Sequence, residues 1–345
     1  MNLKIEKRLF FCMTKDFLDV YIPQDSDSKK TVKAYRDGLT VFRRYVLEIK
    51  GLKMTSFTFD HCTFEFILDY RNWLLDDQKK SRATVNNRLA AIKSYLHYAA
   101  AKDVSLQQIQ FSIASVPFLK VPKPIRPIIE EQNTLRALLD APPNTKLGCR
   151  DTMIMSILFD TMIRADELIQ LSLKDVQLNP DNPYLFVHGK GNKERTAPLS
   201  VETIPLINAY MYEFHNENIS TDEPFIYTVT HGVRSRMSER NIERIVKKYA
   251  DIVRKEHPDL PASVYPHMFR RTRGTCLYRD GVEIEAIATA MGHASIQTTK
   301  DHYAFPSLEQ KREAMRKGTN VLGEQNDIQV WPDDEEEMAK LCGLR

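Results

Sequence analysis

Four short segments of this chain carry side chains suited to chemistry on a phosphate group. They are TMIRADEL at 161–168, GKGNKER at 189–195, PHMFRRT at 266–272 and MGHASIQTTKDHY at 291–303. The planar guanidinium groups of Arg164 and Arg270 match phosphate oxygens in a bidentate way. Lys190 stands between two glycines, which let the backbone turn tightly and leave its side chain free to reach out. Tyr303 supplies a hydroxyl that can act as a nucleophile once it loses its proton.

Each segment alone also fits an ordinary structural role. Arg164 could pair with Asp160 or Glu167 on one helix, GKGNKER could be a plain hairpin loop, and the tyrosine could be a core residue. The GxxxxGK[ST] spacing of a phosphate-binding Walker loop is absent from GKGNKER. His267 and Arg270 differ, because two basic side chains at the positive N-terminus of a helix are unfavourable for stability but suit a bound phosphate.

Taken in order, the four segments resemble the catalytic motifs of the tyrosine recombinases, the phage-integrase family. The resemblance covers roughly residues 24–318, and TVKAYRDGLTVFRRYV and TVNNRLAAIKSYLHYAA resemble the family's core-binding helices. It implies a site-specific DNA strand transferase that works through a covalent 3′-phosphotyrosyl intermediate, without ATP, metal or another cofactor. The catalytic residues implied by the resemblance are Tyr303, Arg164, Lys190, His267, Arg270 and His293.

Three departures from the family pattern bear on these assignments. Met162 stands where the family usually has a glycine before an apolar residue and the arginine. The third motif ends Arg270-Arg271 instead of Arg-His, which affects a structural contact and leaves the rest of the motif in place. Many members place the tyrosine nine residues after the Gly-His histidine, where this chain has His302. Other members use ten, which selects Tyr303, with His302 as a neighbour able to tune it.

The chemistry of strand cleavage gives each residue a role. The pentavalent phosphate gains negative charge, which Arg164 and Arg270 stabilise, with a further hydrogen bond from His293. Lys190 protonates the leaving 5′-oxygen and His267 assists as acid or base, help typically worth about 10²–10⁴ in rate. The arginines replace the cation that a metal-dependent enzyme would use.

The elements that must position these residues form two units. Apolar residues spaced three and four apart predict helices over 29–50, 61–77 and 82–102 in an all-helical first unit. Four prolines between 117 and 127 predict an extended linker. The second unit combines a hairpin that turns at 189–193 with several helices. Those helices are predicted near 130–140, 148–172, 201–217, 238–257, 268–280, 283–291 and 307–317.

The predicted fold is therefore mainly α with a small β-hairpin or sheet (α+β). Its predicted parts are a helical core-binding domain over 1–118, a linker over 119–128, a catalytic domain over 129–322 and a mobile acidic tail over 323–345. The short stretch before residue 24 predicts no additional arm-binding domain. The helix predicted at 307–317 is a candidate for contact with a neighbouring protomer.

Charge is distributed unevenly along the 345 residues. Residues 1–122 hold 20 Lys+Arg against 13 Asp+Glu, whereas residues 323–345 hold 2 against 7. A basic segment is either a solvated helix surface or a surface for a polyanion, and the family resemblance favours double-stranded DNA. The candidates for DNA contact are Lys33, Arg36, Arg43, Arg44, Lys79, Lys80, Arg82, Arg88 and Lys93. The resemblance also implies a homotetramer on DNA and a monomer or dimer when free.

Composition narrows the remaining classes. Hydrophobic residues make up 42% and charged residues 28% of the chain, which is ordinary for a globular protein. The chain has no apolar run near the ~18 residues that a membrane span needs. Five scattered cysteines without a CxxC pair indicate neither a disulfide framework nor a zinc site. These features predict a soluble cytoplasmic protein that does not enter a membrane.

Three other functions stay open from the sequence. The first is a catalytically silent DNA-binding protein of the same fold, and the second is relaxation of DNA in the manner of a type IB topoisomerase. The third is an enzyme that binds RNA or a small phosphate with the Arg/His cluster. The target sequence, and the choice among integrase, transposase and dimer resolvase, cannot be read from helix faces alone.

Overall fold

The computed structural model describes residues 9–25, 29–122, 126–189, 193–215, 220–293, 295–303, 311–312, 315 and 334–344. The chain divides into two compact units, Met1–Pro124 and Ile125–Arg345, named here the N-terminal unit and the C-terminal unit. The domain limits expected from the sequence stay predictions. In the described residues no helix is long and apolar enough to cross a membrane.

The described part of the N-terminal unit is helical. Its helices are α1 (the consecutive pieces Phe10–Met13, Thr14–Asp16, Phe17–Tyr21 and Ile22–Asp25), α2 (Lys29–Glu48), α3 (Phe64–Asp76), α4 (Arg82–Lys102) and α5 (Gln107–Ala114). Side-chain caps define two of the helix starts, since Thr63 accepts from the Phe66 N–H and Ser81 accepts from the Thr84 N–H. The helices predicted over 29–50, 61–77 and 82–102 are confirmed, whereas α1 and α5 were not predicted.

Aromatic packing and one close helix crossing hold the N-terminal unit together. The ring of Phe10 lies 5.3 Å from that of Phe42 and 5.2 Å from that of Tyr95. At the crossing of α2 and α4, a Cβ on Gly38 would fall 2.6 Å from the Cβ of Ala91. Glycine is therefore required at this point of α2, although it costs about 0.5–1 kcal/mol in a helix interior.

The first half of the proline-rich segment is bound to the N-terminal unit. The amide of Asn86 exchanges two hydrogen bonds with the backbone of Leu119, at 2.8 and 2.9 Å. Arg71 and Arg82 donate to the carbonyls of Pro117 and Lys120. These bonds hold the segment in the extended form predicted from its prolines, up to residue 122.

The described part of the C-terminal unit combines helices with two small antiparallel sheets. Its helices are α6 (Gln132–Asp140), α7 (Lys146–Asp160), α8 (Ala165–Gln170), α9 (Ile204–Phe214), α10 (Glu239–Val253), α11 (Pro266–Arg279), α12 (Ile284–Met291), α13 (Ile296–Tyr303) and α14 (Glu335–Leu341). Its strands are β1 (Val176–Gln177), β2 (Tyr184–Gly189), β3 (Lys193–Pro198), β4 (Tyr227–Thr230) and β5 (Val233–Arg236). The strand orders are β1-β2-β3 and β4-β5. The predicted mainly α fold with a small sheet is confirmed.

Helix α7 is central to the core of this unit. Met153, Ile154, Met155 and Ile157 are all fully buried. α7 packs against α9 and α11, and the buried faces of α6, α10 and the β1-β2-β3 sheet complete the same cluster. α11 is thereby anchored along its length, which matters because it carries two of the candidate residues.

The elements observed differ in some places from those expected. The helix predicted over 148–172 is two helices, because the chain breaks at 161–164, where Met162 has φ +55°. The β4-β5 hairpin was missed, although Gly232 at its turn (φ +79°) follows YTVT, a short run rich in β-branched residues. Within the acidic tail, whose mobility stays a prediction, part of the acidic run forms α14, with Asp334 as its N-cap. The helix predicted at 307–317 lies largely outside the described residues.

Candidate active site

Arg270 is the buried centre of the candidate site. Helix α11 begins with Pro266, a residue suited to the first helical position, and places Arg270 one turn later with no exposed surface. Its guanidinium donates to the Met162 carbonyl and, at 2.8 Å, to the Met291 carbonyl. These bonds join the break between α7 and α8 to the end of α12. Within the described residues the Nε–H of Arg270 has no hydrogen-bond partner.

His293 lies directly against this guanidinium. Nη2 of Arg270 is 2.9 Å from Nε2 of His293, and Nδ1 of His293 is 2.8 Å from Oγ1 of the fully buried Thr299. Since an arginine can only donate, Nε2 accepts and the proton resides on Nδ1, which donates to Thr299. His293 is therefore neutral in this arrangement, and its Nε2 must leave Arg270 and gain a proton before it can donate to a phosphate.

Tyr303 ends helix α13 beside the same two residues. Its ring centroid lies 5.6 Å from that of His293, and its hydroxyl is hydrogen-bonded to Arg270. The ring packs over α11, where a Cβ on Gly274 would fall 2.9 Å from Cδ1 of Tyr303. Only 2% of Tyr303 is exposed, within an apolar cluster that includes Met162 and Met291. The hydroxyl is thus buried but in direct contact with a cation.

Arg164 is the N-cap of α8 and is held by an acidic residue of that helix. Its Nη1 donates to Oε1 of Glu167 at 2.7 Å, and its backbone N–H donates to Oε2 at 2.8 Å. About a third of the Arg164 side chain stays exposed. The pairing with Glu167 weighed from the sequence is therefore present, but Arg164 lies at a helix start instead of within one.

Glu167 also binds a second arginine, Arg195 on β3. Nη1 and Nη2 of Arg195 donate to its two carboxylate oxygens at 3.1 and 2.8 Å. Burial by itself raises the pKa of Glu167, but the hydrogen bonds from Arg195 and from the Arg164 N–H, with the charges of both arginines, lower it to about 2. The carboxylate is ionised at neutral pH.

Positive charge surrounds Arg270 and His267. Burial lowers the pKa of Arg270 and the nearby Arg164 acts in the same direction, while the Tyr303 hydroxyl and Glu167 oppose them. For His267, loss of solvent and then the charges of Arg270 and its basic neighbours lower the pKa to about 4. Part of His267 is exposed, so an anion can bind beside it. Such an anion would offset the positive charge of the surrounding arginines and raise the pKa of His267 again. His267 is neutral at pH 7.

The surroundings of Met162 show how a methionine is accommodated where the family usually has a glycine. Its backbone has φ +55°, the left-handed conformation that costs an ordinary residue about 1–2 kcal/mol and that glycine adopts freely. The side chain is 4% exposed and packs in the cluster that contains Tyr303, Ile287 and Met291. This chain therefore accepts backbone strain at 162 and fills the space beside the tyrosine with a methionine.

Arg271 occupies the position where the family usually has a histidine. It is 2% exposed, and its guanidinium donates to the Pro127 carbonyl and to the Tyr265 hydroxyl, both at 2.8 Å. Next to it, Oγ1 of Thr272 accepts from the Ile129 N–H at 3.1 Å. The departure thus provides a structural contact that fastens residues 127–129 to α11.

Five of the six residues predicted from the sequence come together in this site: Arg164, His267, Arg270, His293 and Tyr303. Lys190 and the side chain of His302 lie outside the described residues. Reasoning from the sequence missed Arg195, the carbonyls that hold Arg270 and the Thr299 contact. Only the five-residue spacing between Lys190 and Arg195 offered a signal for the first of these. Among the described side chains no group of three or more acidic, histidine or cysteine residues could hold a metal ion.

The predicted DNA-contact residues of the N-terminal unit differ in their surroundings. Most are exposed, and they lie on α2, just before α4 or at its first residue: Lys33, Arg36, Arg43, Arg44, Lys79, Lys80 and Arg82. Arg88 is half-buried, and Arg36 lies 3.4 Å from Asp19. Lys93 is half-buried: its ammonium donates to the carbonyls of Ala114 and Val116 and lies over the ring of Phe118. These contacts cap the end of α5 within the unit, and a role of Lys93 in DNA contact stays a prediction.

Comparison with known families places both units. A model described as the phage integrase family matches residues 130–309, and a model described as the phage integrase SAM-like domain matches residues 10–113. A tyrosine recombinase of Agathobacter rectalis is 26% identical over 293 residues, covering 82% of this chain and 89% of the relative. The tyrosine recombinase XerC of Natranaerobius thermophilus is 28% identical over 290 residues, covering 83% and 91%.

Solved structures share the fold at lower identity. The XerH site-specific recombinase bound to a palindromic difH substrate, in a post-cleavage complex, superposes with a TM-score of 0.64 at 17% identity, covering 84% of this chain and 80% of the other. The Tn1549 transposon integrase in complex with transposon right end DNA also gives 0.64 at 17% identity, covering 90% and 99%.

Proposed function

The chain belongs to the phage integrase family and is an enzyme of the tyrosine recombinase class, and on that premise we propose that it cleaves and rejoins DNA strands through a covalent 3′-phosphotyrosyl intermediate at Tyr303. The observation that carries the proposal is the contact between a buried guanidinium and the tyrosine hydroxyl. Arg270 has no exposed surface, yet its Nε–H lacks a partner among the described residues. A buried donor without an acceptor is costly, and a phosphate oxygen would satisfy it.

The proposed reaction conserves the energy of the broken bond. The oxygen of Tyr303 attacks the phosphorus, the P–O5′ bond breaks, and the 3′-phosphate becomes esterified to the tyrosine. Arg270 and Arg164 stabilise the negative charge on the non-bridging oxygens, and neither guanidinium loses its proton in doing so. Attack of a 5′-hydroxyl on the phosphotyrosine reverses the step, so neither ATP nor an added nucleophile is needed.

Two protons must move in this reaction. His267 is neutral at pH 7 because burial and then the arginines around it lower its pKa, so we assign it the role of the base that assists loss of the tyrosine proton. Lys190, the second residue of GKGNKER, is assigned the proton that the 5′-oxygen gains as it leaves. His293 adds a donor to the phosphate after its Nε2 leaves Arg270 and takes up a proton.

The remaining parts of the proposal concern DNA binding and assembly. We assign the helical domain over 1–118 to binding of duplex DNA, with the exposed cations of α2 and of the start of α4 facing phosphates. The linker over 119–128 joins it to the catalytic domain over 129–322. Four protomers acting on two sites would complete strand exchange, with the XerH and transposon integrase complexes as structural precedents for binding DNA in this fold.

The test is trapping of the covalent adduct. A nicked duplex with an inverted-repeat site, which loses a short 5′-hydroxyl fragment after cleavage, is expected to leave a protein–DNA adduct that survives denaturant. Tyr303→Phe is expected to give no adduct. Tyr278→Phe is the matched control, because Tyr278 is a partly buried tyrosine of the same apolar cluster, and it is expected to keep the adduct.

Each outcome separates the candidates. An adduct formed by the Tyr303→Phe variant would overturn the assignment of the nucleophile. DNA binding by the wild-type chain without any adduct would indicate the silent DNA-binding protein. An adduct with relaxation of supercoiled DNA but no exchange between two sites would indicate the topoisomerase-like activity.

A further inference from the structure

Arg195 on β3 binds two other parts of the site through one guanidinium. Besides its bidentate ion pair with Glu167, its Nε donates to the Ala290 carbonyl at the end of α12, at 3.3 Å. Only 13% of its side chain is exposed. Strand β3 also forms one arm of the hairpin that carries residues 190–192. One residue therefore connects the start of α8, the end of α12 and the hairpin.

The contact with α12 extends to the residue before His293. Gly292 has φ +65°, and a Cβ there would fall 3.0 Å from both Cδ and Nη1 of Arg195. The guanidinium thus lies flat against the backbone that leads into His293. Its distance from Gly292 leaves no room for another side chain at that position.

Charge gives Arg195 a second role. Glu167 lies between two arginines, and the three side chains together carry one net positive charge. Without Arg195, the nearly buried carboxylate would have Arg164 as its only side-chain cation in these contacts. A carboxylate and one guanidinium cancel, so Arg164 would offer a phosphate far less attraction.

We propose that Arg195 is a positioning residue that binds and neutralises the carboxylate of Glu167, so that Arg164 remains available to the scissile phosphate. The same residue aligns the end of α12 with the start of α8. The proposal rests on the proposed function and goes beyond it, because it assigns a role to a residue that takes no part in the proposed reaction steps. It predicts that the harm done by losing Arg195 comes largely from the charge of Glu167 left behind.

The test is a double-mutant cycle measured by adduct formation in a single turnover at saturating DNA. Arg195→Met is expected to slow adduct formation by about 10²-fold, a loss comparable with removal of one transition-state donor. Glu167→Gln alone is expected to have a smaller effect, since an amide still accepts from Arg164. The double variant is expected to be at least about tenfold faster than Arg195→Met, because the uncompensated buried charge is gone.

Arg236 supplies the matched control. Its guanidinium is similarly pinned, but to the carbonyls of Ile169, Gln170 and Leu171 at the end of α8. Arg236→Met is expected to lower the melting temperature, and Glu167→Gln is expected to give no recovery of its adduct rate. Recovery in this background as large as in Arg195→Met would assign the effect to general stability and overturn the proposal.

Arg195→Lys keeps the test valid if the methionine variant fails to fold. Lysine keeps the charge and loses the fork, so this variant is expected to be slowed less, and Glu167→Gln is expected to add no gain. The proposal would be overturned if the Arg195→Met variant formed the adduct as fast as wild type. It would also be overturned if the double variant were no faster than the Arg195→Met variant. Absence of an adduct with the wild-type chain would instead overturn the proposed function.

Discussion

The two units of the molecule use their cations in opposite ways. In the N-terminal unit, Arg43 and Arg44 are both exposed on α2, and Nη1 of Arg43 lies 3.9 Å from the sulfur of Met54. In the C-terminal unit, Arg270 is fully buried and Arg195 nearly so, and each is held by carbonyls or a carboxylate. An exposed cation attracts any phosphate weakly and adjustably, whereas a buried one is fixed in direction before the substrate arrives.

This difference separates affinity from chemistry. Exposed charges bind by releasing counterions, so their contribution falls with salt and tolerates small displacements. A preorganised guanidinium stabilises charge that appears only in the transition state, and it pays for no reorganisation at that moment. Changes in the N-terminal unit should therefore alter DNA binding, and changes in the C-terminal unit should alter the rate on bound DNA.

The largest expected effect is on the rate when the buried cation is lost. Arg270→Gln is expected to slow adduct formation at saturating DNA by about 10²–10³-fold, because one charged donor to the developing oxyanion is gone. Arg273→Gln is the control, since Arg273 lies on the same helix with its guanidinium over the Phe159 ring and outside the site. Equal loss in both variants would contradict the separation of chemistry from affinity.

The next effect is on binding when exposed cations are lost. A Lys33→Ala/Arg43→Ala/Arg44→Ala variant is expected to bind duplex DNA more weakly and to lower the slope of log K against log salt by about 0.9 per lost phosphate contact. Its adduct rate at saturating DNA should match wild type. Lys93→Met should leave that slope unchanged and lower the melting temperature instead, since Lys93 caps α5. A changed slope in Lys93→Met would show that it contacts DNA.

Backbone strain at Met162 should reverse the usual order of stability, in which an alanine variant is more stable than a glycine variant. Both Met162→Gly and Met162→Ala lose buried packing, but only glycine adopts φ +55° freely. The Met162→Gly variant should therefore be about 1 kcal/mol more stable than the Met162→Ala variant. The control pair is Met155→Gly and Met155→Ala, because Met155 is buried in the middle of α7. There the glycine variant should be about 1 kcal/mol less stable than the alanine variant. The free energy of unfolding in urea measures both pairs. The same order at both positions would contradict the strain at 162.

The smallest expected effect is a change in stability with pH, caused by the lowered pKa of His267 beside the buried arginines. His267 is expected to titrate near pH 4 in the free protein, and inorganic sulfate is expected to raise this pKa by offsetting the surrounding arginines. Between pH 6.5 and about 4 the unfolded chain binds a proton that the folded chain does not, so stability falls as the pH drops through this window. NMR of the imidazole gives the pKa, and His267→Gln should lack this part of the pH dependence. An ordinary pKa unaffected by sulfate would contradict the cationic surroundings.

Local patterns predicted much of the fold. The alternation in YLFVHGKGNKERTAPL identified the hairpin, and the spacing of apolar residues identified the helices that carry the core. The family resemblance read from the order of four motifs is confirmed by the matches over both units, whereas the catalytic roles of the individual residues stay predictions. The break at Met162 escaped prediction because apolar residues continue through it without a glycine or proline.

The sequence by itself determined the kinds of side chain available and their order, because hydrophobic period and turn residues act between near neighbours. Only the tertiary structure decided which of the arginines are buried, which nitrogen of His293 carries its proton, and that Glu167 is shared between Arg164 and a residue 28 positions away. Such pairings depend on how α7, α11 and β3 pack. That packing is set by the whole core, and no short stretch of sequence contains it.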